Sequence, residues 1–160
     1  MSDPLATYLH DHLAGAVVAI NLLEALRDQH AGEQLGQFAA ELLVEVEADR
    51  AVLRGLAEQV GAGSSALKEA TAWLSEQLSR LKLWRRTAGR LGTFESLEAL
   101  ALGILGKLAL WRALEEVAAT DARLRGVDFA HLAARAQAQH ARVEERRLDA
   151  ARTGLRAALE

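Results

Sequence analysis

Residues 40–53 read AELLVEVEADRAVL, Ala40 to Leu53. They lie inside an apolar pattern, Leu35, Phe38, Leu42, Val46, Leu53, Leu56 and Val60, that keeps the 3.6-residue spacing of one helix face. Glu45, Glu47 and Asp49 set carboxylates at the centre of that helix, against a face otherwise filled with Leu, Phe and Val. What neutralises them in the folded chain is the question this stretch raises.

Outward from it, the same period recurs. Asp3-Pro4 is a helix start, because Asp can cap free amides and Pro suits a first turn whose amides lack partners. Apolar residues at 5, 9, 13, 17, 20, 23 and 26 then predict a helix over about 4–30, closed by Gly32. The second helix spans about 34–60 and ends at the flexible GAGSS. A shorter helix is expected over 65–83, marked by Leu67, Trp73, Leu74, Leu78 and Leu81. After the basic, glycine-punctuated WRRTAGRLGT, helices are expected over about 94–119 and, capped by Asp128, over 128–159.

Four helices of 25 to 30 residues with one shorter helix between the second and third imply a topology. A 26-residue helix is about 39 Å long, and only a connection of roughly 30 residues can run back along it. The expected fold is therefore all-α: one domain, an up-down pair, a long crossover, and a second pair.

Composition sets outer limits. The 160 residues suit one domain with a substantial core, and the dominance of Leu and Ala with one Pro favours helices over strands. A net charge of −3 gives no general attraction to nucleic acid or anionic lipid, so neither is an expected partner. With no Cys, thiol nucleophiles and thiolate metal sites are excluded. The opening MSDPLATYLHDHL carries an acid where a signal peptide carries basic residues, and no unbroken apolar run approaches the roughly 20 residues of a membrane span. A cytoplasmic protein is expected.

In helix number, length and crossover, nearly the whole chain resembles the ferritin-like superfamily. AELLVEVEADRAVL resembles the second-helix segment of small bacterial ferritin-like stress proteins. That resemblance implies a four-helix bundle with one long crossover containing a shorter fifth helix. It also implies a di-iron site built from one Glu on each of two helices and Glu-x-x-His on the other two. The chain contains no Glu-x-x-His; Asp49 stands where the resemblance places a His, and the third long helix reads Gly103-Ile-Leu-Gly106-Lys107-Leu108 at its centre.

Helix register nevertheless brings His12, Asp49 and His140 to about one layer, with Glu45 and Glu144 a turn away. Two readings stay open. These five are a non-standard site for Fe, Mn or Zn, which imidazole and carboxylate suit. Alternatively, they are a buried polar network whose cation is supplied by Lys107, Arg50 or Arg147. The second reading expects no cofactor.

Other features have blander accounts. Gly103 and Gly106, with Gly15 and the small Ala14, Ala16 and Ala19, permit close helix packing or leave space for an apolar ligand. Lys82, Arg85, Arg86 and Arg90 beside Trp84 read as a solvated crossover end, the arginines of the last helix as a solvated face, and Trp73 and Trp111 as core. No nucleophile–base pair, phosphate loop or nucleotide fingerprint appears, so no catalytic residue is assigned. The expected role is association with a second copy or a protein partner, with metal binding or oxidoreduction at the His/carboxylate layer as the alternative.

Overall fold

In the computed structural model, which describes residues 3–61 and 89–157, the first helix starts at Asp3-Pro4. The Asp3 carboxylate accepts from the Leu5 amide at 2.9 Å and Pro4 opens helix α1, Pro4–Gln29. After a turn through Gly32, whose φ of +84° favours glycine, the chain enters α2, Gln34–Val60. Gly61, left-handed at φ +76°, ends α2 by donating to the carbonyls of Ala57 and Glu58. The chain continues as α3, Arg90–Ala118, a 3₁₀ turn at Ala122–Leu124, and α4, Phe129–Gly154. Among the described residues there are four α-helices and no strand. The expected short helix over 65–83, with Trp73, Lys82, Trp84, Arg85 and Arg86, lies outside the described residues.

Two boundaries differ from the sequence expectation. The third long helix begins at Arg90 rather than 94, because Gly89 at φ +117° turns the chain into the helix. Thr93 then lies inside the first turn, where its hydroxyl donates back to the Gly89 carbonyl at 3.3 Å. The last helix ends at Gly154 rather than 159. Glycine is a weak helix former, and Gly154 is pressed against α3, where a Cβ would stand 2.8 Å from the Arg90 carbonyl oxygen.

Cross-helix contacts fix the directions. His30 Nε2 meets Thr93 Oγ at 3.1 Å and Asp3 pairs with Arg123 beyond the far end of α3, so α1 and α3 are antiparallel. Glu98 with Arg147, and Lys107 with Gln139, set α3 antiparallel to α4. Glu45 with Arg142, and Asp49 with Arg135, do the same for α2 and α4. It follows that α2 and α3 run in the same direction.

The core is filled from all four helices, by Leu9, Leu23 and Leu26 of α1, Leu42 and Leu56 of α2, Leu97 and Trp111 of α3, and Ala136 and Val143 of α4. Leu124 on the 3₁₀ turn is buried against α2 and α3 and seals one end. By length and composition α1 is also apolar enough to cross a membrane. Counting only unbroken apolar runs overlooks this, since single polar residues and Gly interrupt its apolar length. Here α1 packs against α2 and α3.

Glycine positions give opposite expectations. A Cβ at Gly36 would stand 2.1 Å from the His30 carbonyl oxygen, whereas at Gly103 it would meet nothing within 4 Å among the described residues. Gly36→Ala is expected to lower stability by about 2 to 3 kcal/mol. Gly103→Ala should raise it by about 0.5 to 1 kcal/mol through backbone entropy. Denaturant titration of both variants checks the contrast, and equal effects would contradict this packing.

Candidate functional site

Asp49 sits on the buried side of α2, one turn beyond Glu45, and is 3% exposed. Its carboxylate is surrounded by donors from two other helices. Arg135 of α4 donates to Oδ1. Lys107 of α3 donates to Oδ2 at 2.5 Å, and the Gln139 amide of α4 donates to the same oxygen at 3.3 Å. Lys107 also donates to Gln139 Oε1 at 2.5 Å, and Gln139 Nε2 donates to Glu45 at 3.0 Å. Arg142 bridges both Glu45 oxygens at 2.8 and 2.7 Å. Two carboxylates thus face three cations through one amide that is completely buried.

The electrostatics follow from this arrangement. Partial burial pushes the Glu45 carboxyl up, but hydrogen bonds from Arg142 and Gln139 outweigh it and hold the group below its usual range. For Lys107 burial dominates, and the ammonium loses its proton more readily than an ordinary lysine despite the adjacent Asp49.

The sequence candidates are distributed unevenly. Glu45 and Asp49 are brought together in this cluster. His12, half-buried on α1, stacks edge-on against Tyr8 with ring centroids 4.7 Å apart, and burial pulls its pKa down against the opposing influence of Asp11. It lines a cavity with Asp49 but makes no hydrogen bond to it. Glu144 accepts from Arg147 at 2.7 Å, and Arg147 also donates to Glu98 at 3.0 Å. His140 lies beside Glu144, not in the Asp49 cluster. Of the three cations considered as replacements, Lys107 reaches Asp49, Arg147 goes to Glu144, and Arg50 lines the cavity.

Gln139, Arg135 and Arg142 were missed, although a signal existed. Leu132, Ala136, Gln139 and Val143 form the apolar stripe of α4, which makes Gln139 a polar residue at a core position. Arg135 and Arg142 flank it at i−4 and i+3, on the side turned to α2. The neighbouring His140 is rotated about 100° from Gln139, enough to leave the layer.

As arranged, the donors do not fit a metal pair. Both Asp49 oxygens accept from cations, and Arg142 occupies both Glu45 oxygens. A divalent ion would have to displace these hydrogen bonds and approach three positive charges. Among the described residues no three His, Asp or Glu side chains converge.

Beside the cluster lies a cavity of about 240 Å³ between α1, α2 and α3. Gly15, Ala16 and Ala19 form its α1 wall, Val46 and Leu53 its α2 wall, and Gly103, Ile104, Gly106, Leu110 and Trp111 its α3 wall. Asp49, Arg50, Lys107 and His12 supply its polar lining. The glycines here do not bring helices into close contact: a Cβ at Gly15, Gly103 or Gly106 would meet nothing within 4 Å among the described residues. They leave room instead. Comparison of the chain with protein-family models, curated proteins and solved structures finds no match.

The ion cluster makes two expectations. Asp49→Ala leaves the partly buried Lys107 and Arg135 without their counter-charge and should cost about 3 kcal/mol. Lys107→Met should cost less, since Asp49 keeps Arg135. Denaturant titration orders the two, and a cost for Lys107→Met equal to or above that for Asp49→Ala would contradict the arrangement. Because the Glu45 pKa is lowered by folding, its contribution is complete above the unfolded value and lost as pH falls through the folded one. Acidification from pH 7 to 3 should therefore cost the wild type more stability than Glu45→Gln.

Proposed function

We propose that this chain is a non-catalytic ferritin-like bundle, with amino-acid cations in place of a metal pair, that holds a small, largely apolar molecule between α1, α2 and α3. The observation that carries this reading is the cavity of about 240 Å³ opened by Gly15, Gly103 and Gly106 beside a fixed polar end. An apolar space with a few convergent polar groups is the general form of a small-molecule site. The ferritin-like part rests on the one-crossover order, in which α2 and α3 run in the same direction. The role is that of a carrier or ligand-responsive module rather than an enzyme.

Filling the space tests it. In thermal melts, molecules of about ten heavy atoms should stabilise the wild type, by about 2.7 kcal/mol at a ligand concentration of 100 Kd. Gly106→Leu, which places a side chain in the open space, should remove that response while remaining helical by circular dichroism. A folded wild type that answers to none of a varied panel would sink the reading. Metal content separates the oxidoreductase alternative. Protein purified without chelator is expected to carry substoichiometric Fe, Mn and Zn; stoichiometric metal lost in the Asp49→Ala/His140→Ala double variant would restore it.

One observation favours association as a second reading. Leu102 is 65% exposed, and Leu105 beside it on the outer face of α3 is also exposed. A second copy or a protein partner seated there would cover both. Light scattering of the wild type and of Leu102→Glu/Leu105→Glu tests this: self-association predicts an oligomer that the double variant dissociates.

A further inference from the structure

The polar atoms around the cavity are unequal in what they offer a ligand. The carboxylate there is engaged. Asp49, the one carboxylate among the described lining residues, receives Arg135 on one oxygen and Lys107 with Gln139 on the other. The donors are not exhausted. Lys107 has three N–H bonds and uses two, on Asp49 and Gln139. Trp111 offers none: it is completely buried, so its unpaired Nε1–H is closed off from the open volume. Arg50, also in the lining, has no ion-pair partner among the described residues.

Charge points the same way. Glu45 and Asp49 are outnumbered by Lys107, Arg135 and Arg142, and Arg50 adds a fourth cation in the lining. Among the described residues the polar end of the cavity is therefore cationic, although the chain as a whole carries −3. The remaining walls, among the described residues, are Gly, Ala, Val, Leu, Ile and Trp. Size bounds the occupant: a cavity of 150 Å³ holds benzene, so 240 Å³ has room for roughly ten heavy atoms.

From these observations we infer that the cavity takes a monoanionic amphiphile, a carboxylate on an unbranched or cyclic hydrocarbon body of about eight carbons. Its head accepts from Lys107 and Arg50, and its body lies along Gly15, Gly103 and Gly106. This rests on the ligand-pocket reading and names the chemistry that the pocket selects.

Three probes with one body and different heads test it by calorimetry: octanoate, octan-1-ol and octylamine. Octanoate should bind at least tenfold more tightly than octan-1-ol, and octylamine should not bind. In Lys107→Met the preference for octanoate over octan-1-ol should fall to near unity while octan-1-ol binding survives. Arg50→Gln, which leaves Asp49 paired, should reduce the preference several-fold, so the assignment stays testable if Lys107→Met fails to fold. Gly106→Leu should abolish binding of both. Octan-1-ol or octylamine binding as tightly as octanoate would overturn the head-group assignment and leave the pocket reading standing. No binding by any of the three, with none from the wider panel, would overturn both.

Discussion

Burial of Asp49 is the constraint to which the rest of the bundle answers. Removing a carboxylate from water costs several kcal/mol, and that cost is offset only where geometry is close and the remaining lone pairs are filled. Here Lys107 from α3 and Arg135 and Gln139 from α4 fill them, so one side chain on α2 ties three helices. Such a cluster is weak evidence for stability, since apolar replacements of the same volume are often neutral or better. Its effect lies in register. The four helices present long stripes of Leu and Ala, and sliding one past another by a turn would still match apolar against apolar. The same slip would strand Asp49, Lys107 and Gln139 without partners, at a cost that the alternatives cannot recover.

The ends of the bundle show the same logic with cheaper groups. At one end His30 joins Glu33 at 3.0 Å and Thr93 at 3.1 Å, connecting the α1–α2 turn to the start of α3. At the other, Arg123 reaches both Asp121 and Asp3, and Leu124 closes the core beneath it. These exposed ion pairs are each worth little. Their value is positional: they set where the two hairpins meet, and the interior cluster then decides how they are rotated.

The parts legible in the sequence were those encoded locally. Asp3-Pro4 and Asp128 announce helix starts through backbone chemistry that needs no tertiary context, and both act in the structure as they read; Gly32 is left-handed as expected, but in the turn beyond the His30 cap that ends the helix. The layer containing Asp49 was also legible, since helix lengths fix register to about a turn. The membership of that layer was not. His140 and Gln139 are adjacent in sequence but point about 100° apart, finer than a register read from helix ends can resolve. Arg135 and Arg142 looked like members of a solvated face because long cationic side chains permit both readings, an exposed head or an inward reach from the flank. The α3 start was missed because Gly89 reads as a breaker from sequence, whereas its positive φ begins the helix.

Lysine as the central cation has a steric consequence that connects the cluster to the cavity. Lys107 extends from α3 across to Asp49 on α2, and the residues beside it, Gly103 and Gly106, carry no side chains to fill the wall along which it runs. Gly15 repeats the omission on α1. If dry and fully enclosed, a void of 240 Å³ would forfeit up to about 6 kcal/mol of packing, on the scale of the whole net stability of a small domain. Its open side lowers that figure without removing it. Glycine at the exposed position 103 and the half-buried position 106 keeps the α3 wall of that volume open among the described residues.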